Sequence, residues 1–281
     1  MSRYRIGVDV GGTHTDIVLA DKTARNLIIE KVPSTPDNPA RAVIEGLEKL
    51  RQRGIAADEI EFFGHGTTVS TNSLLELKGA RFGLLITRGF RAVQEVQNQA
   101  REFNQFDLRF QRPSALVPQS LTHEITGRID FRGMELEPLD EAEIVEAVDS
   151  LIERGVTSFA VCYLFAFANP MHEHRTAQIL RSRCAEAFVS LSSEVLPCVR
   201  EWPRLSTTLL DAYLAPIVAS YARELSDELD GAGLATKRRF LMQSNGGVMS
   251  LSAAGEGTGV VHTLLSGPAA GVQCCTHLTA T

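Results

Sequence analysis

The chain has 281 residues, a formal net charge of −6 and 44% hydrophobic residues. That length holds one large or two moderate globular domains, and a negative balance without a Lys/Arg cluster argues against nucleic acid as a partner. No apolar stretch is long enough to span a membrane, residues 1–5 lead straight into a strand pattern and not into a signal peptide, and five cysteines without a C-x-x-C pair read as thiols of a reduced, cytoplasmic protein.

In chain order, Tyr4 to Val10 and Ile17 to Ala20 are apolar strand-like runs joined by a Gly-Gly turn, and Asn26 to Val32 is a third strand. Pro33, Pro36 and Pro39 break the pattern. Asn38 then caps a helix from Pro39 or Ala40 to about Arg53, with Ala42, Val43, Gly46, Leu47 and Leu50 at helical spacing. Ile60 to Phe63 is a short buried strand, Val69 to Leu77 a helix, Arg81 to Ile86 a strand and Phe90 to Val96 a short helix. Asn98 to Pro118, rich in Gln, Asn, Arg and Pro, is a long loop or insertion. Leu121 to Phe131 with Leu136 predicts a hairpin around Gly133. Asp140 caps a helix ending at Gly155, and Ser158 to Phe165 is a fully buried strand. A helix from about His172 to Ala187, a strand to Leu191 and a long helix from Trp202 to Leu229, kinked at Pro216, follow. Phe240 to Gln243 and Val260 to Leu264 read as strands. The alternation predicts an α/β architecture with a mixed sheet.

Four loops carry candidate chemistry. In the first, Asp9 ends a strand, Gly11 and Gly12 turn the chain, and Thr13, Thr15 and Asp16 follow. Glycines that reach positive φ bring main-chain N–H groups close to a ligand. With the Thr13 and Thr15 hydroxyls they suit phosphate oxygens, and Asp9 suits the water shell of a Mg²⁺. A plain hairpin turn is the alternative. No G-x-x-x-x-G-K-[ST] and no G-x-G-x-x-G occurs here. The second loop is Gly64-His65-Gly66-Thr67-Thr68 with Asn72 one helical turn on. It offers an accessible histidine titrating near neutral pH and a helix N-terminus for an anion, or simply a capped helix. The third is Gln243-Ser244-Asn245-Gly246-Gly247, a ligand loop or a tight hairpin. The fourth runs through Ser266, Gly267 and Pro268, whose small residues permit close packing against a nucleotide or a sheet.

The spacing D-x-G-G-T-x-T-D over Asp9–Asp16 resembles the first phosphate loop of the actin-like ATPase superfamily. Together, DVGGTHTD (Asp9–Asp16), HGTTVSTNSLLELKGA (His65–Ala80), LITRGFRAVQEV (Leu85–Val96), FANPMHE (Phe167–Glu173), REWPRLSTTLLDAYLAP (Arg200–Pro216), MQSNGGVMS (Met242–Ser250) and LSGPAAGV (Leu265–Val272) resemble the N-terminal half of the hydantoinase A/5-oxoprolinase family, related to acetone and acetophenone carboxylase subunits. The resemblance implies an actin-like, ribonuclease H-like mixed sheet with flanking helices. Its regions would be an N-terminal domain over 1–190 and the beginning of the core domain over 191–281. It implies ATP and Mg²⁺, a cyclic amide or ketone substrate, a hydantoinase B-type partner subunit and a possible homo-oligomer.

The chemistry expected is ATP-dependent opening of hydantoin- or 5-oxoproline-type rings. A lactam carbonyl is a poor electrophile, and phosphorylating its oxygen creates a leaving group. By this resemblance Asp9 holds hydrated Mg²⁺, Gly11, Gly12, Thr13 and Thr15 cradle phosphate, and Asp16 orients the loop. His65, Gly66, Thr67, Thr68 and Asn72 face phosphate or substrate, and Ser244, Asn245, Gly246, Gly247, Ser266 and Gly267 line the cleft. A ketone carboxylase subunit, a sugar or acyl kinase, and a non-catalytic ATP-responsive module are the alternatives. His14 replaces an aromatic common in relatives, and Asp211 stands at a usual Asn. No second D-x-G-G-T follows, so the second lobe is expected to be incomplete, the chain a fragment, and its own ATP turnover weak or absent.

Overall fold

A computed structural model describes residues 3–35, 38–97, 109 and 114–279. The strands are β1 (Tyr4–Val10), β2 (His14–Asp21), β3 (Asn26–Pro33), β4 (Ile60–Thr67), β5 (Phe82–Thr87), β6 (Thr122–Ile125), β7 (Arg128–Ile129), β8 (Glu135–Glu137), β9 (Ser158–Cys162), β10 (Phe188–Leu191), β11 (Arg239–Met242) and β12 (Val248–Ser250). The helices are α1 (Pro39–Gln52), α2 (Val69–Leu75), α3 (Val93–Val96), α4 (Glu141–Glu153), α5 (Met171–Arg183), α6 (Ser192–Val195), α7 (Glu201–Gly231), α8 (Leu251–Glu256) and α9 (Ser266–Thr279). The chain packs as two compact units. One joins the residues up to Lys78 with those from Ile217 onward, and the other is Gly79–Pro216.

The first unit is built on a six-stranded mixed sheet in the order β12-β11-β4-β1-β2-β3. β1, β4 and β11 run parallel, while β2, β3 and β12 are antiparallel to their neighbours. Strict alternation sends Ile6, Val8, Val10, Ile17 and Leu19 to one face, where α1 and the last part of α7 cover them with Val43, Leu47, Leu50, Ala222 and Leu225. Each large side chain buried there contributes about 1.5–3 kcal/mol. Asn38 caps α1 as expected, its side chain accepting from Arg41 N. β3 is an edge strand, and its Leu27 and Ile29 stand exposed on it.

The second unit has a four-stranded parallel sheet, β10-β9-β5-β6. β5 and β9 are buried at every position, which is the pattern of strands covered on both faces. Asp140 caps α4 by accepting from Ala142 N and Glu143 N. Behind the sheet lies a buried polar network. The Glu173 carboxylate accepts from Tyr163 N (2.9 Å), Ser192 Oγ (2.5 Å) and Ser193 N (2.8 Å). Arg204 Nη1 donates to Tyr163 O (2.7 Å) and Ser192 Oγ (2.8 Å). Burial pushes the Glu173 carboxyl up, against those hydrogen bonds.

Several expectations give way. Val260–Thr263 is a 3-10 turn and not a strand, because Gly259 enters it at φ +66° and His262 N and Leu264 N bond three residues back. β9 stops at Cys162: Tyr163 N turns to Glu173, Leu164 N to Thr87 Oγ1 (2.9 Å), and Phe165 takes φ +56°. The hairpin around Gly133 is only β7 and β8, since β6 pairs with β5 in parallel. The expected loop over Asn98–Pro118 lies mostly outside the described residues.

Pro216 sits inside α7 as expected. It has no N–H for the carbonyl of Ala212, four residues earlier. The buried Ser158 Oγ donates to that carbonyl instead, at 2.7 Å. Ser158→Ala therefore strands a buried acceptor and is expected to cost about 1–3 kcal/mol. In the Ser158→Ala/Pro216→Ala double variant the restored N–H takes the carbonyl, so chemical denaturation should show the two effects failing to add; simple additivity would refute this account.

Candidate functional site

Because β1, β4 and β11 are parallel, their C-terminal ends share one edge of the first unit's sheet, and β2 starts from that edge. The loops that follow them are those singled out by sequence. Ligands of open α/β sheets bind at this edge. The N-terminus of α9 is fastened beside them: Ser266 Oγ donates to Thr67 O (3.1 Å), Leu265 N to Thr71 Oγ1 (3.3 Å), and Ser70 and Thr263 share a hydroxyl bond (2.5 Å). Ser244 N donates to His262 O at 2.6 Å, tying in the third loop.

Asp9 lies on the sheet face opposite the core. In register it stands between Asp16 on β2 and Gly66 on β4. A Cβ on Gly66 would lie 3.0 Å from Asp9 Oδ1, a tight contact, so glycine at position 66 leaves the carboxylate where it stands. Among the described residues Asp9 makes no hydrogen bond or ion pair. Loss of hydration, and then the Asp16 charge opposite, push its carboxyl up. Asp16 itself is held by Lys31 Nζ at 2.9 Å, the residue facing it across β2 and β3.

The Gly-Gly turn closes through Gly11 N to His14 O (3.0 Å), with Ser34 N on Thr13 O (2.9 Å) and Ser34 Oγ on Gly11 O (2.7 Å). Neither glycine has positive φ, which corrects that reason for them. At Gly11 a Cβ would lie 3.0 Å from His14 O, and Gly12 faces open space. Thr13 is exposed, and its hydroxyl contacts exposed His14 Nδ1 at 3.2 Å. Thr15 is a correction: it is fully buried on the core face, its hydroxyl bonded to Ser34 Oγ at 3.0 Å.

His65 is the larger correction. Gly64-His65-Gly66 is the end of β4 and not a loop, and strand alternation turns the imidazole inward, where it is 2% exposed. Its Nε2 is 2.6 Å from Tyr221 Oη on α7, and its Nδ1 is 3.2 Å from Val8 O. Burial pushes its pKa down to about 4, with the Val8 carbonyl opposing. It is a neutral strut beneath the strand end that carries Asp9, and no accessible acid or base. Thr67 is also buried, its Oγ1 accepting from Val69 N (3.2 Å) at the start of α2. Thr68 and Asn72 do share a face, with Asn72 Nδ2 on Thr68 Oγ1 at 3.3 Å.

Ser244 and Asn245 are exposed at the β11–β12 turn, where Gly247 N donates to Asn245 Oδ1 (2.7 Å) and Gln243 N to Gly247 O (2.9 Å). Gly246 needs its φ of +82°, and a Cβ there would meet Gln273 Nε2 at 2.3 Å. Ser266 is buried, while Gly267 borders open space. The structure thus leaves Asp9, Gly12, Thr13, Thr68, Asn72, Ser244, Asn245 and Gly267 facing outward, and moves Thr15, His65, Thr67 and Ser266 into the framework. Ser34, Lys31 and Tyr221 were not singled out from sequence. Lys31 was reachable by counting register across the β2–β3 pair; Tyr221, 156 positions from its partner, was not.

Matches to known proteins agree with this arrangement. A family model described as the hydantoinase/oxoprolinase N-terminal region matches residues 5–184, and one described as hydantoinase/oxoprolinase matches 204–281. The caprolactamase α subunit of Pseudomonas jessenii is 35% identical over 277 residues, covering 96% of this chain and 39% of the relative. A crystal structure of the ATP-dependent caprolactamase of that organism superposes with TM-score 0.82 over 95% of this chain and 39% of its own, at 33% identity. 5-Oxoprolinase 1 of Arabidopsis thaliana is 30% identical, covering 96% of this chain and 23% of the relative. The nucleotide-free structure of acetone carboxylase gives TM-score 0.84 at 25% identity, over 99% of this chain and 41% of that one. The chain spans at most about two fifths of the length of these relatives. A six-stranded mixed sheet with its loops gathered at one edge, matched over nearly its whole length by such proteins, is an actin-like ATPase fold, and the chain belongs to the hydantoinase/oxoprolinase family.

Proposed function

We propose that this chain supplies the ATP-handling part of an enzyme that opens cyclic amides by phosphoryl activation of the carbonyl, in company with a hydantoinase B-type subunit. Residues 1–190 are then its N-terminal region and 191–281 the opening of its core region. The observation that carries the reading is the free Asp9 carboxylate over bare Gly66, at the edge where four loops meet. The donor set fits a hydrated Mg²⁺: a carboxylate without a protein partner, beside a second carboxylate already neutralised by Lys31. When bound, the metal would neutralise phosphate charge. The main-chain N–H groups of Gly12 and Thr13, the Thr13 hydroxyl and the start of α9 position a triphosphate tail, Gly11 N being taken up by His14 O. Asp16 with Lys31 fixes the turn electrostatically, and His65 with Tyr221 holds the strand end beneath Asp9. Phosphate on the amide oxygen then makes the ring carbon open to attack.

Likeness to acetone carboxylase favours a second reading, activation of a ketone for carboxylation, which shares the first step. Phosphate release should separate them. With a B-type subunit present, lactams are expected to stimulate release, and acetone with bicarbonate is not; the reverse pattern would replace the first reading with the second.

Asp9 generates a test in two directions. Its carboxyl is raised in the folded chain, so the unfolded state ionises first as pH rises. The charge therefore costs stability above the ordinary carboxylate range. Asp9→Asn is expected to raise Tm at neutral pH while weakening Mg²⁺-dependent ATP binding at least tenfold by calorimetry. A variant that binds Mg²⁺-ATP normally would remove Asp9 from the site. For His65, imidazole NMR shifts should stay flat from pH 5.5 to 8; a titration near 6.5 would restore it as an acid or base.

A further inference from the structure

Amide N–H groups stabilise an anion best when they already point at it. Within the Gly-Gly turn Gly11 N is tied to His14 O, but Gly12 N and Thr13 N have no acceptor among the described residues, and a Cβ on Gly12 would meet nothing within 4 Å. Glycine peptides rotate readily, so the aim of those amides must be set from outside the turn. The grip comes from Ser34, just past the end of β3. Its N–H donates to Thr13 O at 2.9 Å and carries the β2–β3 ladder one step further. Its hydroxyl donates to Gly11 O at 2.7 Å and lies 3.0 Å from the Thr15 hydroxyl.

The hydroxyls form a chain with one direction. Ser34 has a single hydroxyl hydrogen, and the Gly11 carbonyl can only accept. Thr15 therefore donates to Ser34 and Ser34 to Gly11, each bond polarising the next. The chain also has a side. Thr15 is fully buried on the core face, and Ser34 follows the core-facing Val32 by two residues. The Gly11 carbonyl is thus held from the core side. In a trans peptide the carbonyl and the next N–H point in opposite directions, and the Gly11–Gly12 peptide is trans. Gly12 N–H is thereby turned toward the other face of the sheet, the one that carries Asp9.

We propose that Ser34 is a positioning residue of the phosphate turn: through Gly11 O it aims Gly12 N–H at a phosphate oxygen on the Asp9 side. Ser34 itself touches no ligand and acts from behind the main chain. Thr15 takes a role that its burial allows, since the hydroxyl expected to meet phosphate instead anchors the group that aims an amide at it. The inference rests on the proposed function, because it needs a polyphosphate at this edge.

The whole chain is titrated with Mg²⁺-ATP by calorimetry, and the Gly12 amide resonance is followed in parallel, well below the Tm of every variant. Ser34→Ala is expected to bind about tenfold more weakly, as does loss of a hydrogen bond that supports a ligand group from behind. Its Gly12 amide should lose most of the shift that Mg²⁺-ATP induces. Ser34→Thr returns the hydroxyl and should restore both. A merely structural Ser34 would lower Tm in Ser34→Ala and leave affinity and shift unchanged; that result would overturn the assignment, and so would a Ser34→Thr chain that behaves like Ser34→Ala. If Ser34→Ala binds normally while Asp9→Asn does not, the function proposed for this edge stands without this role. If the unaltered chain binds no Mg²⁺-ATP, that function and the role of Ser34 fall together.

Discussion

The register of β1 between its two neighbours is the constraint on which the first unit depends. Antiparallel pairing with β2 sets Asp9 across from Asp16, and parallel pairing with β4 sets it across from Gly66. A slip of one residue in either ladder would turn Asp9 into the core and Val8 out of it. The hydrophobic face that fixes this register, Ile6, Val8 and Val10 packed beneath α1 and α7, is thus also what aims the carboxylate. Packing and placement of charge are one arrangement seen from two faces of a sheet.

The second unit meets a different demand. It buries Glu173, Arg204 and Asp211, and each burial must be compensated by hydrogen bonds. Ser192 bridges Glu173 to Arg204, and Ser190 Oγ donates to Asp211 Oδ2 at 2.8 Å. Short-side-chain hydroxyls on and after β10 thereby satisfy charges that α5 and α7 carry inward. Such networks specify one packing when every member is satisfied; here Arg204 Nε and Ser193 Oγ are buried without a hydrogen-bond partner.

Much of this was readable along the chain, and the misses share a cause. Strict alternation gave β1, the Asn38 and Asp140 caps fixed α1 and α4, and Gly-Gly marked the first turn. What sequence could not show was which side of a strand faces the core when glycines surround the residue. His65 between Gly64 and Gly66 carries no apolar pattern of its own, so it read as an open turn; only the ladder with β1 continues β4 through it. Thr15 misled for a related reason, since a hydroxyl next to a Gly-Gly turn looks like a ligand group, whereas its partner Ser34 comes from 19 positions away. Val260 to Leu264 has the composition of a strand, and the left-handed Gly259 before it is not visible in composition.

The edge strand β3 has a practical consequence. Eight residues long, with Leu27 and Ile29 uncovered and no further strand beyond it among the described residues, it presents an open hydrogen-bonding template. Lys31, Glu30 and the closing Pro33 act as gatekeepers on that margin, and Lys31 is already committed to Asp16. Neutralising that lysine would therefore free Asp16 beside the Gly-Gly turn and, at the same stroke, remove a guard against self-association through the sheet's rim.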